Sequence, residues 1–206
     1  MTLPKPFGRR TQFLFDSVAF HPTPEQATIL QCPARGILIS GGIHGGKSIV
    51  ESKFFLKRFP DDLQFHRAMN WPLPLVYWLV AEDYSGTSRV FEYIVNDLSD
   101  LTWLHRSTKK VDPGVIEVGG GGPAHPVLAV IKTKSAKDYK SLRMEAPAGI
   151  MADEASQLDL VAYERLRERM ALHQGWLVMA GTMEMSHGWY PQLMKAWGYG
   201  YNDRQS

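Results

Sequence analysis

The stretch Gly36-Ile-Leu-Ile-Ser40, followed by Gly41-Gly-Ile-His-Gly-Gly46-Lys47-Ser48, decides the fold of this chain. Its first five residues form a short apolar run that breaks into glycines, which is typical of a buried parallel strand meeting a loop. The next eight match the pattern G-x-x-x-x-G-K-[ST], and a helix is predicted to follow from Ser48 to Arg58. A strand, a glycine-rich loop and a helix in this order predict a phosphate-binding loop.

The residue types in this loop suit a nucleoside triphosphate. Glycines let backbone N–H groups wrap closely around phosphate oxygens, in conformations that a Cβ would obstruct. We expect Lys47 to reach the β- and γ-phosphates and Ser48 to give its hydroxyl to Mg²⁺, while the helix N-terminus adds its positive dipole. The predicted phosphate-contacting set is Gly41, Gly42, Ile43, His44, Gly45, Gly46, Lys47 and Ser48.

Two adjacent acids follow a second apolar run, Ala148-Gly-Ile-Met-Ala152. In open α/β sheets ligands bind outside the carboxyl ends of the strands. We therefore expect Asp153 to hold Mg²⁺ through its water shell and Glu154 to polarise the attacking water as general base. The alternative is a helix N-terminus that carries acids because they interact favourably with the helix dipole. Together with the loop, the acids predict Mg²⁺ and ATP as ligands.

A third apolar run, Trp176-Leu-Val-Met-Ala180, ends in Gly181 and Thr182. In the additional-strand, catalytic-glutamate class of P-loop ATPases, such a strand lies between the phosphate-loop strand and the acid-bearing strand, and its tip senses the γ-phosphate. We assign that role to Thr182. The alternative is an ordinary Gly-Thr turn.

The rest of the chain predicts alternating strands and helices, hence an α/β fold with a mostly parallel central sheet and helices on both faces. Residues 1–206 are expected to form a single domain with an N-terminal arm (1–20), a connector (60–74) and a tail (198–206). The turn-rich loop 119–126 makes its flanking strands an antiparallel pair. Further strands are expected at 75–81, 115–118 and 127–133, and further helices at 24–30, 85–98, 158–171 and 189–197.

Composition excludes several classes of protein. The sequence has no run of about 18 apolar residues, as a membrane span would need, and its first residues lack the features of a secretory signal. We therefore expect a soluble, cytoplasmic protein. The single cysteine, Cys32, excludes an internal disulfide framework. The net charge of +2 is too small to indicate a nucleic-acid binder by itself.

With these motifs in order, the chain resembles the N-terminal ATPase domain of phage terminase large subunits over residues 20 to 197. The resemblance implies a motor that hydrolyses ATP to move double-stranded DNA into a viral procapsid. It also implies a homo-oligomeric ring, a portal protein and a small terminase subunit as partners, and the host cytoplasm as location. The motifs that carry it are Phe20-His-Pro-Thr-Pro-Glu-Gln26, Gly41 to Ser48, Ser141-Leu-Arg143, Ile150 to Glu154, and Gly181-Thr182.

The resemblance implies roles for three further residues. Family members use an upstream aromatic residue and a glutamine for adenine, which assigns adenine contacts to Phe20 and Gln26. The alternative for Gln26 is a polar helix residue at the surface. The family's phosphate loops commonly contain an arginine, and this loop has none. We therefore hypothesise that Arg143 acts as an arginine finger on a neighbouring subunit's nucleotide. The alternative is a surface salt bridge.

The chain departs from the family in length, and other functions stay open. Terminase large subunits continue into an RNase H-like nuclease domain, so we expect either one domain of a longer protein or a nuclease on a separate chain, and no DNA cleavage by this polypeptide. The alternatives are a non-catalytic nucleotide-binding switch subunit, another P-loop DNA translocase or helicase, and a kinase. Six lysines could contact DNA phosphates or form a solvated face: Lys109, Lys110, Lys132, Lys134, Lys137 and Lys140.

Overall fold

The computed structural model describes residues 5–42, 45–120, 124–183, 186 and 188–197. Within them, no helix has the length and apolarity needed to cross a membrane. Two short 3₁₀ turns lie at Tyr84–Thr87 and Ala155–Gln157. The main elements are α1 (Arg9–Ser17), α2 (Pro24–Gln31), β1 (Gly36–Ser40), α3 (Lys47–Ala68), β2 (Leu75–Ala81), α4 (Ser88–Asp100), β3 (Leu104–Ser107), β4 (Val115–Gly119), β5 (Val127–Ser135), β6 (Gly149–Ala152), α5 (Leu160–Leu172), β7 (Trp176–Gly181) and α6 (Trp189–Ala196).

These strands form one seven-stranded sheet in the order β1-β7-β6-β2-β5-β4-β3. The first five strands in this order run parallel, whereas β4 is antiparallel to both β5 and β3. The predicted mostly parallel sheet with an antiparallel pair is confirmed. Strand β7 lies between β1 and β6, as expected for the additional strand. The carboxyl ends of β1, β7 and β6 therefore share one edge of the sheet.

Helices cover both faces of the sheet, as predicted. Alternate residues of β2 separate the two cores, because Tyr77 and Leu79 belong to one buried cluster and Trp78 and Val80 to the other. The first cluster also contains side chains of α1 to α4, and the second contains side chains of α5 and α6. These helical residues include Phe15, Leu30, Phe54 and Val90 on the first face and Tyr163, Leu166 and Tyr190 on the second.

Helix α3 is much longer than predicted, and the connector expected at 60–74 is wrong in its first half. The helix continues through Pro60 to Ala68. A proline inside a helix removes one backbone hydrogen bond and clashes with the preceding turn, at a cost of about 3 kcal/mol. Here the buried aromatic side chains Phe55 and Phe59 hold the helix against the sheet on the N-terminal side of Pro60. Tertiary packing thus overrides the local preference of the proline.

A buried hydrogen-bond network holds α3 on the other side of Pro60. The Asp62 Oδ2 atom accepts hydrogen bonds from Tyr77 Oη at 3.0 Å and Trp176 Nε1 at 2.8 Å. The guanidinium of Arg58 lies 3.9 Å from the same carboxylate. These contacts tie the last turns of α3 to β2 and β7. Burial raises the pKa of Asp62 to about 6, against the opposing effects of the Trp176 hydrogen bond and the Arg58 charge.

Two further predictions need correction. The arm predicted at 1–20 contains α1, whose Leu14 and Phe15 are buried against the core. Strand β3 was missed because Leu104-His-Arg-Ser is short and polar, a composition common in edge strands. The predicted tail, 198–206, lies outside the described residues.

We predict that Asp62 makes the free energy of unfolding fall as the pH rises from about 4 to 6. Because its folded-state pKa of about 6 lies above the ordinary value of 3.8, the folded chain holds this proton more tightly than the unfolded chain. The contribution is complete below pH 4 and is lost as the pH passes about 6, a change on the order of 2–3 kcal/mol. Urea denaturation of wild type and Asp62→Asn between pH 4 and 7 measures it.

This pH dependence should disappear in Asp62→Asn, because the substitution removes the carboxyl group that titrates. The amide oxygen can still accept both hydrogen bonds. The control is Asp61→Asn, which removes an exposed carboxylate one position away. If Asp62→Asn and Asp61→Asn show the same slope, the assignment to Asp62 is wrong.

Candidate functional site

Four predicted site residues meet at the carboxyl edge of the sheet. Lys47 and Ser48 begin α3 after the loop that follows β1, and Asp153 and Glu154 follow β6. The hydroxyl of Ser48 lies 3.2 Å from Asp153 Oδ2, although the two residues are 105 positions apart. Parallel strands end at the same edge, which is why such distant residues come into contact.

A cavity of about 190 Å³ opens beside this contact. Glu154 and Thr182 share it with the phosphate loop, so both lie beside the loop as the sequence predicted. The lining residues are Gly45, Gly46, Lys47, Ser48, Ile49, Arg89, Tyr93, Glu154 and Thr182.

A second, adjoining cavity of about 460 Å³ lies on the acidic side of the site. It is lined by Ser48, Ser85, Gly86, Ser88, Arg89, Glu92, Asp153 and Glu154. Three residues, Ser48, Arg89 and Glu154, border both cavities. Together the cavities leave open space between the loop and the pair of acids.

The backbone of the loop is shaped for an anion. Gly45 N donates to Gly42 O at 3.1 Å, and Gly46 caps α3 with a φ of +71°. The N–H groups of the first helical turn have no partner within the helix, so they can point at phosphate oxygens. The Lys47 ammonium donates to the carbonyls of Gly41 at 3.1 Å and Gly42 at 3.0 Å, which holds its charge at the loop. Ile43 and His44 lie outside the described residues.

Asp153 and Ser48 present hard oxygen atoms suited to Mg²⁺. The Ser48 hydroxyl and Asp153 Oδ2 lie 3.2 Å apart, so both oxygen atoms are close enough to act on one ion, Ser48 as a ligand and Asp153 through the ion's water shell. Within the described ranges, no three His, Cys, Asp or Glu side chains form a ready-made metal cage. This arrangement fits Mg²⁺, which takes most of its ligands from phosphates and water.

Asp153 is almost fully buried, and burial raises its pKa above the ordinary value. The neighbouring charge of Glu154 raises it further, whereas the Glu154 N–H, Ser48 and Lys47 act in the opposite direction. A cation beside Asp153 would favour its charged form. A bound cation would therefore offset the effect of burial on this carboxylate.

Glu154 has a left-handed backbone, with φ at +48°, which is unusual for a residue other than glycine. Its N–H donates to Asp153 Oδ1 at 3.0 Å, and its carbonyl accepts from Gln157 N at 2.9 Å. Such a conformation costs on the order of 1–3 kcal/mol and persists only where its surroundings hold it. The turn therefore stores strain at the residue predicted to be the general base.

The tip of β7 touches this turn directly. A Cβ at Gly181 would lie 2.9 Å from both the Cβ and the backbone nitrogen of Ser156. Only glycine allows the strand to approach so closely. Thr182, one residue further on, is half-buried and lines the first cavity. The candidate sensor is thus coupled by contact to the acid-bearing turn.

The two residues assigned to adenine lie in different surroundings. Thr23 and Gln26 form a capping box at the start of α2, and a Cβ at Gly46 would lie 2.8 Å from Gln26 Nε2, so the glutamine packs on the phosphate loop. Phe20 is only 6% exposed and packs edge-on against Phe15. As placed, its ring is a core residue with little surface free for a base. The adenine contacts stay predictions.

Arg143 lies on the exposed segment between β5 and β6 and is not among the described residues that line either cavity. Its guanidinium has no ion pair in the described part of the chain, so the alternative of a surface salt bridge is not observed there. Nearby, Glu145 pairs with Lys132 and Lys134 instead.

The structure adds three residues that the sequence analysis did not identify: Glu51, Arg89 and Tyr93. Glu51 is fully buried, and burial and the charge of Asp153 raise its pKa well above the ordinary value. Its position four residues after Lys47, on the same face of α3, was the available signal. Arg89 and Tyr93 lie at the start of the helix after β2, a strand that ends at the same edge as β6. This common edge could have indicated them.

We predict that Gly46→Ala destabilises the chain by about 1–2 kcal/mol, because alanine resists a positive φ and its Cβ would press on Gln26. Gly42→Ala is the matched control, since a Cβ there meets nothing within 4 Å. Urea denaturation of both variants without nucleotide tests this. Equal stabilities would show that the left-handed glycine is not required. Adding Gln26→Ala to Gly46→Ala separates the steric contact from the backbone strain.

Comparison with known proteins gives structural but no sequence matches. No protein-family model matches the chain, and no curated protein matches it. A mutant of the large terminase ATPase domain of Thermus phage P74-26 superimposes with a TM-score of 0.67 at 16% identity, covering 87% of this chain and 72% of that one. The ATPase domain of that protein without the mutation gives 0.66 at 16% identity, covering 94% and 75%.

The large terminase of a second thermophilic bacteriophage, in complex with ATP-γ-S, gives a TM-score of 0.53 at 15% identity. The match covers 76% of this chain and 37% of that one, so the chain spans less than two fifths of this neighbour. At such low identities these likenesses establish the fold. The chain has the mixed α/β fold found in phage large-terminase ATPase domains.

Proposed function

We propose that this chain is an ATP-hydrolysing motor domain of the additional-strand, catalytic-glutamate class of P-loop ATPases. The contact between Ser48 and Asp153 carries the proposal, because it joins the phosphate loop to the acidic pair at one edge of the sheet. The position of β7 between β1 and β6 supports the class. The fold shared with terminase ATPase domains, one of them bound to ATP-γ-S, supports ATP as the nucleotide.

In the proposed reaction, the chain's residues bind the triphosphate and activate water. The loop N–H groups and Lys47 hold the β- and γ-phosphates. Ser48 would hold Mg²⁺ directly and Asp153 through its water shell, and the bound ion would neutralise phosphate charge. Glu154 accepts a proton from water as the water oxygen bonds to the γ-phosphorus. The bond between the γ-phosphorus and the bridging oxygen then breaks, giving ADP and inorganic phosphate.

We further propose that hydrolysis drives double-stranded DNA into a viral procapsid in the host cytoplasm. In this setting the chain acts in a homo-oligomeric ring with a portal protein and a small terminase subunit. The support is the fold of the solved neighbours, which are large terminases. Three of the six candidate DNA-binding lysines have acidic partners, since Lys132 and Lys134 pair with Glu145, and Lys137 with Glu82. The other three candidates, Lys109, Lys110 and Lys140, are exposed and have no ion pair in the described ranges.

We predict that Glu154→Gln lowers the rate of ATP hydrolysis by about 10²–10⁴-fold, because the amide cannot accept the proton of the attacking water. Nucleotide affinity should stay within a few-fold of wild type, whereas Lys47→Ala should lose most of it. Steady-state phosphate release and calorimetric titration with ATP-γ-S measure the two effects. Glu164→Gln, an exposed glutamate on α5, is the matched control.

The alternatives give different results in the same assays. A non-catalytic switch subunit would bind ATP without releasing phosphate, so Glu154→Gln would lose nothing. A kinase would release ADP only when an acceptor is present. Either outcome would contradict the proposed ATPase.

We predict that Arg143→Ala loses the hydrolysis that is stimulated by assembly, by about 10²–10³-fold, if the arginine reaches a neighbouring subunit's γ-phosphate. Mixing Arg143→Ala with Lys47→Ala subunits should restore part of the rate, because each supplies what the other lacks. Phosphate release at increasing protein concentration measures this. Lys140→Ala, an exposed cation on the same segment, is the control. An unchanged rate of assembly-stimulated hydrolysis would show that Arg143 is not the arginine finger.

A further inference from the structure

The phosphate loop of the candidate site contains little positive charge. Among the eight residues of the phosphate loop, Lys47 is the only lysine or arginine. Charge spreads over the γ-phosphate oxygens in the transition state, and a preorganised cation at that point stabilises it. A second cation near the γ-phosphate would therefore speed hydrolysis within one subunit.

Arg89 is placed to supply this charge. It lies in the first turn of α4, which starts at the carboxyl edge of the sheet after β2, next to the strand that bears the acids. Its side chain lines the phosphate-loop cavity together with Lys47, and the acidic cavity together with Asp153. A residue that borders both cavities lies where the loop meets the acids.

In the reaction proposed above, the γ end of the triphosphate would lie at that meeting point. Glu154 must reach the water that attacks the γ-phosphorus, so the γ-phosphate lies between the loop and this carboxylate. Arg89 lines both cavities beside Glu154. An arginine there can offer two parallel N–H donors to phosphate oxygens, which a lysine cannot do.

Arg89 is also available for a ligand. The residue is exposed, and its guanidinium has no ion pair or hydrogen bond within the described ranges. By contrast, Arg10 pairs with Asp61 and Arg165 with Glu168. Helix α4 packs against α3 through buried Val90 and Ile94, so the base of the Arg89 side chain is held rigidly beside the loop.

The geometry points to Arg89 as a residue that contacts the γ-phosphate of the nucleotide bound in its own subunit. This inference rests on the proposed ATPase function. In the reaction above, Arg89 donates to γ-phosphate oxygens while the bond to the bridging oxygen breaks, and it neither gains nor loses a proton. It acts in cis, in contrast to the role assigned to Arg143.

The test compares Arg89→Ala and Arg89→Lys with Arg165→Ala, an arginine that is not among the described residues lining either cavity. Single-turnover hydrolysis at saturating ATP should fall by about 10²–10³-fold in Arg89→Ala and less in Arg89→Lys, as expected for loss of one charge-stabilising donor. Calorimetric affinity for ATP-γ-S should fall about tenfold while affinity for ADP changes little, because ADP has no γ-phosphate. Arg165→Ala should match wild type in both assays.

Mixing experiments decide between cis and trans action. Lys47→Ala subunits should not restore hydrolysis to Arg89→Ala subunits, and restoration would overturn the inference. Equal rates and equal ATP-γ-S affinities in Arg89→Ala and Arg165→Ala would also overturn it.

The proposed function and this inference fail in different ways. If Lys47→Ala abolishes nucleotide binding while Arg89→Ala changes nothing, the proposed nucleotide site is supported and the proposed role of Arg89 is wrong. If the wild-type chain binds no nucleotide, both the proposed function and the inference about Arg89 are wrong. If wild type binds ATP-γ-S but does not hydrolyse ATP, the affinity ratio of ATP-γ-S to ADP still decides the role of Arg89.

Discussion

The contact between the Ser48 hydroxyl and the Asp153 carboxylate is the constraint on which the candidate site depends. It requires that β1 and β6 run parallel and end at the same edge, with only β7 between them. It also requires the left-handed glycine that turns the chain from the loop into α3. If either condition failed, the loop and the acids would be separate features with no joint chemistry. The sheet order therefore matters for function as much as for stability.

Much of the fold and of the site could be predicted, because the signals are local. An apolar run followed by glycines, or by Asp153 and Glu154, indicates both a buried strand and the residues at its carboxyl end. Strand type and direction follow from such patterns. The convergence of Lys47, Ser48, Asp153 and Glu154 then follows from a general property of parallel sheets. The role assigned to Thr182 follows from the same reasoning and stays a prediction.

The features that sequence could not show depend on tertiary contacts. Pro60 is a strong local signal for a helix end, but Asp62 bonds to Tyr77 and Trp176, and those partners are distant in sequence. Glu51 reads as an ordinary helical glutamate until the fold buries it against Asp153. Arg89 has no motif of its own, and its place at the site depends on how α4 packs on α3. Phe20 is the opposite case, because the sequence predicted that it contacts adenine and the fold places it in the core.

The close approach of Gly181 to Ser156 has a mechanical consequence. Because Gly181 has no side chain, the tip of β7 packs directly against Ser156 in the acid-bearing turn, and neither segment has room to move alone. A shift at Thr182 would be passed on to the turn that bears Glu154, because closely packed interiors transmit displacement. Even a methyl group at position 181 would push the tip of β7 away from the acid-bearing turn. The contact between the two segments would then be less rigid. Gly181 therefore contributes a rigid contact between the two segments more than it contributes any polar contact.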